Sequence, residues 1–307
     1  MKNKFYLGII VILIIMSLTV NTIAVDEPHD EKVNTDADQV GEVIELQEPD
    51  MYSLVMNKTY SVNWTVGAGK TLTGATKIFM SEGDTVTFNM SYTPTDASVK
   101  IGLLTPKNTF LNYTRNNGSL STTLSVIYLG VHQFRVQNTS DEDITITGTY
   151  TVSASSPFEY MFKSPYMATY LSSLYGEYRG NGDYHYAIDI TTGTPGEIEG
   201  YPVYNTLSGE VIKNELFSDN VTTCVAIDHG NGYTSRFLHM YIDDNGLQCG
   251  DIVNTGEEIG TVSDEGSPGA YHLHYDINTI GAYAGTDLDE DNTIDPTLVF
   301  HGISFTS

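Results

Sequence analysis

From residue 51 onward the chain is written in short runs that alternate apolar and polar residues, with turn residues breaking them every few positions. Thr85-Val86-Thr87-Phe88-Asn89-Met90, Ser98-Val99-Lys100-Ile101-Gly102-Leu103 and Gln133-Phe134-Arg135-Val136 are such runs. Glu82-Gly83-Asp84, Thr93-Pro94-Thr95-Asp96, Asn116-Asn117-Gly118 and Ser140-Asp141-Glu142 are the punctuation. A period of two sends every second side chain to one face, as a half-buried strand requires. No long amphipathic helical stretch follows the first 50 residues, so the predicted fold class is all-β. Residues 51–154 read as an antiparallel β-sandwich, residues 155–175 as a linker with some aromatic content, and residues 176–307 as a second antiparallel β-sheet domain.

The first 50 residues differ. Lys2 and Lys4 precede an apolar run from Leu7 to Leu18, and Thr22-Ile23-Ala24 offers small residues for cleavage. That pattern predicts a signal peptide over 1–24, the run being shorter than the ~20 residues of a spanning helix. No other segment is apolar enough to span a membrane, so a secreted, extracellular or wall-associated protein is expected. Residues 25–50 are acidic and aperiodic and read as a disordered leader. The chain holds 39 Asp and Glu against 14 Lys and Arg, a formal charge of −25. Nucleic acid is therefore an unsuitable partner, because phosphate binding needs a basic surface. Oxidising surroundings allow a Cys224–Cys249 disulfide, with two free thiols as the alternative.

Four of the eight histidines, His185, His239, His272 and His274, fall between residues 185 and 274. On a strand, His185 and Asp189 share a face, as do His272 and His274. Two strands could thus aim three or four nitrogen and oxygen ligands into one cleft, the donor set of a catalytic zinc with an open water position. Asp189 sits inside Ala187-Ile188-Asp189-Ile190, where a buried carboxylate needs a partner and a metal supplies one.

Further blocks stand in order around these residues: Pro202-Val203-Tyr204, Ser208-Gly209-Glu210-Val211, Val225 to His239, Gly250 to Gly260, and Gly269-Ala270-Tyr271-His272-Leu273-His274-Tyr275-Asp276-Ile277. With His185-x-x-x-Asp189 they resemble the lysostaphin/LytM-like zinc metalloendopeptidases, which cut peptide bonds in peptidoglycan, over about residues 182–300. The resemblance implies one zinc on His185, Asp189 and His274, with His239 and His272 as the catalytic pair and wall peptide as substrate. Ala187 departs from the glycine usual there, and residues 195–201 look like an insertion at the cleft rim. Residues 51–154 loosely resemble the jelly-roll-type accessory modules of secreted hydrolases. Two alternatives use the same features: a non-catalytic wall-binding scaffold or regulator of the same fold, and an adhesion protein acting through its N-terminal module.

Asp287, Asp289, Asp291 and Asp295 take positions 1, 3, 5 and 9 of a calcium-type loop, but position 12 is Leu298 where a glutamate belongs. A solvated acidic loop is the reading, with calcium as the alternative.

Overall fold

The computed structural model describes residues 28–32, 38–41, 44–45, 55–217, 219–242, 246–286 and 288–307. The expected signal peptide and Asp287 lie outside the described residues. Among the described residues the structure is strands and turns, with a single 3-10 turn at Pro296–Leu298, and no helix is long and apolar enough to cross a membrane.

Two sheets form the N-terminal sandwich. One runs in the order His29–Lys32, Thr109–Arg115, Val99–Leu104, Gly130–Asn138, Thr71–Gly74, Asp38–Gly41. The other runs Ser119–Ser125, Thr85–Thr93, Ile144–Ser155, Val55–Val66, Ile44–Glu45. Pairing is antiparallel except where Asp38–Gly41 lies parallel to Thr71–Gly74. The alternation read from the sequence is what closes the core: along Thr85–Thr93, Val86, Phe88, Met90 and Tyr92 are buried. Phe134 sits at the centre, its ring 4.6 Å from Tyr150, 5.2 Å from Trp64 and 5.9 Å from Phe88.

Three pieces of the acidic leader, expected to lack structure, add edge strands to these sheets. Edge pairing uses backbone N–H and C=O groups and so needs no apolar periodicity. Charge helps at one edge, where Glu31 pairs with Lys100 and Tyr128 Oη donates to Asp30 at 2.7 Å.

The second core is built on a sheet in the order Tyr170–Ser173, Ile188–Thr191, Leu273–Asn278, Thr234–Leu238, Thr223–Asp228, Gly209–Leu216, Ile252–Val253. A small sheet of Pro202–Tyr204, Glu258–Val262 and Met240–Tyr241 lies beside it, and Glu177–Gly180 pairs with Asp183–His185 as a hairpin. Residues 155–175, expected as a linker, belong largely to this core: Phe158, Met161, Phe162, Ala168 and Leu171 are buried in it. Their aromatic content is core material. Phe79 crosses from the sandwich, with ring contacts to Phe158 at 5.7 Å and Tyr233 at 6.1 Å.

The disulfide does not form, and both cysteines are free thiols. Cys224 is packed with Ala226 and Leu238 inside the sheet, whereas Cys249 is exposed on a turn. The acidic loop makes no cation site among its described residues. Asp289 Oδ1 accepts the backbone N–H groups of Asp291 and Asn292 at 3.0 and 3.1 Å, and Asp295 Oδ1 accepts that of Thr297 at 2.9 Å. Both carboxylates are engaged in shaping turns.

His132, on Gly130–Asn138, is 1% exposed, and its Nε2 has no hydrogen-bond partner. Burial pushes its pKa down to about 4, whereas the unfolded chain takes the proton at ~6.5. Between those values the unfolded state binds more protons, so this ring costs stability progressively as pH falls from 6.5 towards 4 and nothing above that window. Relative to wild type, His132→Gln should therefore gain about 2 kcal/mol on moving from pH 7 to pH 4.5 in denaturant unfolding. A pH-independent difference would show that the folded chain accepts the proton.

Candidate metal centre and cleft

The strands Ile188–Thr191 and Leu273–Asn278 are hydrogen-bonded neighbours, and their register sets Asp189 directly opposite His274. Directly opposed residues hold their Cβ atoms ~5 Å apart, close enough for the two side chains to meet. His274 Nδ1 lies 3.0 Å from Asp189 Oδ1. His185, at the end of the Asp183–His185 hairpin arm, brings its Nε2 to 3.2 Å from Asp189 Oδ1 and 3.1 Å from His274 Nδ1. Three donor atoms thus form a nearly equilateral triangle. It is the only group of three or more His, Cys, Asp or Glu residues found so disposed among the described residues.

Each corner is oriented from behind. His185 Nδ1 faces Ser173 Oγ at 2.9 Å and the carbonyl of Leu174 at 3.3 Å, which leaves Nε2 for the triangle. Arg179 reaches the second oxygen of Asp189 at 3.3 Å. His274 Nε2 lies 3.5 Å from Asp276 Oδ2. Asp276 is buried and gripped by Arg236, whose Nε stands 2.9 and 3.0 Å from its two oxygens and whose Nη2 stands at 2.8 Å. Arg236 in turn donates to the carbonyl of Gly285.

The electrostatics follow from burial and these partners. Burial alone would raise the Asp189 pKa, but hydrogen bonds with His185 and His274 hold it well below the usual carboxylate range. Burial alone would lower that of His274, yet Asp189 and Asp276 raise it to about 9. The two shifts are reciprocal: an ionised Asp189 and a protonated His274 stabilise each other across the triangle. Arg236 keeps Asp276 ionised despite the complete burial that opposes it.

His239 and His272 line the same cleft. Their rings stand 4.6 Å apart, and His239 is 6.0 Å from the ring of His274. His272 Nε2 comes within 3.7 Å of Asp189 Oδ1. Both rings donate Nδ1–H to a backbone carbonyl, His239 to Glu265 at 2.6 Å and His272 to Ala270 at 2.7 Å. A carbonyl only accepts, so in each neutral ring Nε2 is the accepting nitrogen. Burial holds both rings neutral, pushing His239 down to about 4 and lowering His272 as well.

All five residues singled out from the sequence therefore meet in one place, but His239 arrives by an unexpected route. Continued strand alternation would put it on the face of Tyr233, Ser235 and Phe237. Instead the strand Thr234–Leu238 stops one residue short, and His239 adopts a left-handed backbone, φ +60. The break turns its imidazole into the cleft. Asp276, Arg236 and Ser173 are positioning residues that the sequence reading missed. Asp276 carried a signal, being two residues beyond His274 on one strand face. The left-handed backbone costs a residue with a Cβ about 1 kcal/mol. His239→Gly should accordingly melt higher than His239→Ala, by about 1 kcal/mol in stability; equal stabilities would show that the turn is unstrained.

The model of peptidase family M23 matches residues 183–291, a span that contains all five cleft residues. Among solved structures the chain is similar to the catalytic domain of a mutant of the prophage-encoded M23 protein EnpA from Enterococcus faecalis, with 24% identity over 44% of this chain and 92% of that one and a TM-score of 0.34. It is also similar to the antimicrobial peptidase lysostaphin from Staphylococcus simulans (20% identity, 42% of this chain, 48% of that one, TM-score 0.33). A zinc-containing peptidase from Vibrio cholerae compares at 22% identity, 44% of this chain, 37% of that one and a TM-score of 0.33. The chain thus spans less than half the length of the latter two. No curated protein matches the chain. The histidine and aspartate cleft thus lies wholly within the segment, residues 183–291, that matches the model of peptidase family M23.

Proposed function

We propose that the C-terminal domain is a zinc endopeptidase that hydrolyses peptide bonds of cell-wall peptidoglycan, and that the protein is exported to reach that substrate. The observation that carries this reading is the donor triangle. Tetrahedral zinc with bonds of about 2.0–2.1 Å sets neighbouring ligand atoms about 3.3 Å apart. His185 Nε2, Asp189 Oδ1 and His274 Nδ1 stand 3.0–3.2 Å from one another. The donor set, two imidazoles and one carboxylate, suits zinc, and three protein ligands are the number a catalytic zinc would require beside a water. When bound, zinc supplies Lewis acidity, lowering the pKa of a water and polarising a carbonyl.

The chain's own residues supply the rest. Ser173 and Asp276 hold the ligand imidazoles in the tautomers that point the correct nitrogens at the ion. His239 and His272, neutral and with Nε2 free to accept, are placed to take the proton of the attacking water. The captured proton then passes from Nε2 to the departing amine, so the new carboxyl and amine termini balance the water consumed. Once it holds that proton, the protonated Nε2 can also donate to the carbonyl oxygen as negative charge develops there. The side chains of His185, Asp189, His272 and His274 are only 10–17% exposed, which limits competing water and strengthens these interactions.

The roles separate experimentally. His185→Ala, Asp189→Ala and His274→Ala should each lose stoichiometric zinc together with wall lysis. His239→Ala and His272→Ala should keep one zinc per chain while kcat drops by about 10²–10⁴. Stoichiometric zinc without lysis of any wall type would overturn the substrate assignment, and absence of zinc from wild type would overturn the mechanism. Asp276→Asn should weaken zinc affinity by about 10–100-fold, measured by chelator competition. An unchanged affinity would remove Asp276 from the metal centre.

A further inference from the structure

The hairpin of Glu177–Gly180 and Asp183–His185 has two faces, because side chains alternate along each of its arms. One face serves the metal centre. It carries His185, Arg179, which reaches Asp189, and Glu177, which accepts from Ser173 Oγ. The other face carries Tyr178 and Tyr184, directly opposite each other in the register, with ring centroids 5.2 Å apart. From Tyr184 the row of rings continues to Tyr186 at 6.2 Å, and from Tyr186 to Tyr175 at 5.9 Å. Tyr175 packs against the second core and anchors the row, whereas Tyr178 and Tyr184 are 59% and 44% exposed. Exposed aromatic surface of this kind marks a place of interaction. Tyr184 and Tyr186 flank His185 in the chain, so the row stands beside a metal ligand.

Carboxylates border these rings. Asp183 Oδ1 accepts the backbone N–H of Tyr184 at 3.1 Å. Glu290, Asp289 and Asp183 are close enough for their charges to act on the Tyr186 phenol, and all three are exposed. Such a border, in a chain of net charge −25, repels anionic polymers. A neutral sugar ring satisfies the tyrosines and the carboxylates together. Its C–H face is apolar and lies flat on an aromatic ring, while the hydroxyls at its rim donate to phenol and carboxylate oxygens. Rings in a row offer one platform to each successive residue of a linear chain. We propose that the tyrosine row is a saccharide-binding surface, holding a neutral glycan strand uncleaved on the outer side of the cleft wall while peptide attached to that strand enters the cleft. The proposal rests on the hydrolase reading above and deepens it. An extended peptide advances ~3.4 Å per residue, so a few residues carry the chain from the outer face of the hairpin to the metal triangle.

Binding tests this apart from hydrolysis. The zinc-loaded full chain is titrated, with NMR detection, against a β-1,4-linked N-acetylglucosamine tetramer and against choline, neither of which contains a peptide. The tetramer should bind. Tyr178→Ala, on the arm without a metal ligand, should weaken it about fivefold, and adding Tyr184→Ala should weaken it further. Zinc should stay at one per chain in both variants, which shows that the hairpin still presents His185. Tyr178→Phe/Tyr184→Phe keeps the rings and should retain most of the affinity. No tetramer binding in wild type, or binding that the alanine variants leave unchanged, would overturn the proposal. Choline binding in place of the tetramer would overturn it too, reassigning the row to a cation held on ring faces. Failure to lyse any wall material, with tetramer binding intact, would count against the hydrolase reading alone.

Discussion

The site depends on the pairing register between Ile188–Thr191 and Leu273–Asn278. It sets Asp189 opposite His274, and on the other side of Leu273–Asn278 a second register sets Arg236 opposite Asp276. His272, His274 and Asp276 therefore face the cleft, while Leu273, Tyr275 and Ile277, all fully buried, face the core. A slip of one residue would exchange the two sets, placing ionised groups in the core and an aromatic ring in the cleft. The hydrophobic packing of one strand face thus fixes the position of the chemistry on the other.

That arrangement carries costs which the surrounding residues offset. Asp276 and Arg236 are buried charges, and an uncompensated buried charge costs several kcal/mol. Three hydrogen bonds between them, and a further one to Gly285, satisfy most of their polar atoms. Asp276 in turn fixes the tautomer of His274, so a buried ion pair that is a poor source of net stability is put to use as an orienting device. His239 shows the same economy. Its left-handed backbone is unfavourable, yet its N–H and C=O are held by Thr223 at 3.3 Å and Ser263 at 2.8 Å, and the strain aims the ring.

What the sequence revealed and what it hid divide along physical lines. Alternating strands were legible because half-buried sheets impose a period of two on side chains, as Val86, Phe88, Met90 and Tyr92 show. The histidine and aspartate positions were legible because few residue types hold a metal and because they recur in ordered blocks. Features carried by backbone rather than side chains were hidden. The edge strands of the leader pair through N–H and C=O groups, and the turn at His239 is a single dihedral with no compositional mark. Residues 155–175 were misread because aromatic residues with irregular spacing fill the second core without forming a periodic element. The cysteines misled for a related reason: two thiols in one chain say nothing of direction, and Cys224 faces into the sheet.

The junction between the two cores bears on access to the cleft. Phe79 and the carbonyl of Leu129 meet the second core at Tyr233, which precedes the strand Thr234–Leu238, whereas His239 follows it. The two ends of that strand are separated by about 17 Å at 3.3 Å per residue. These two contacts therefore fall at the end of the strand remote from the donor triangle. A module attached there can hold or orient the catalytic sheet without entering the cleft.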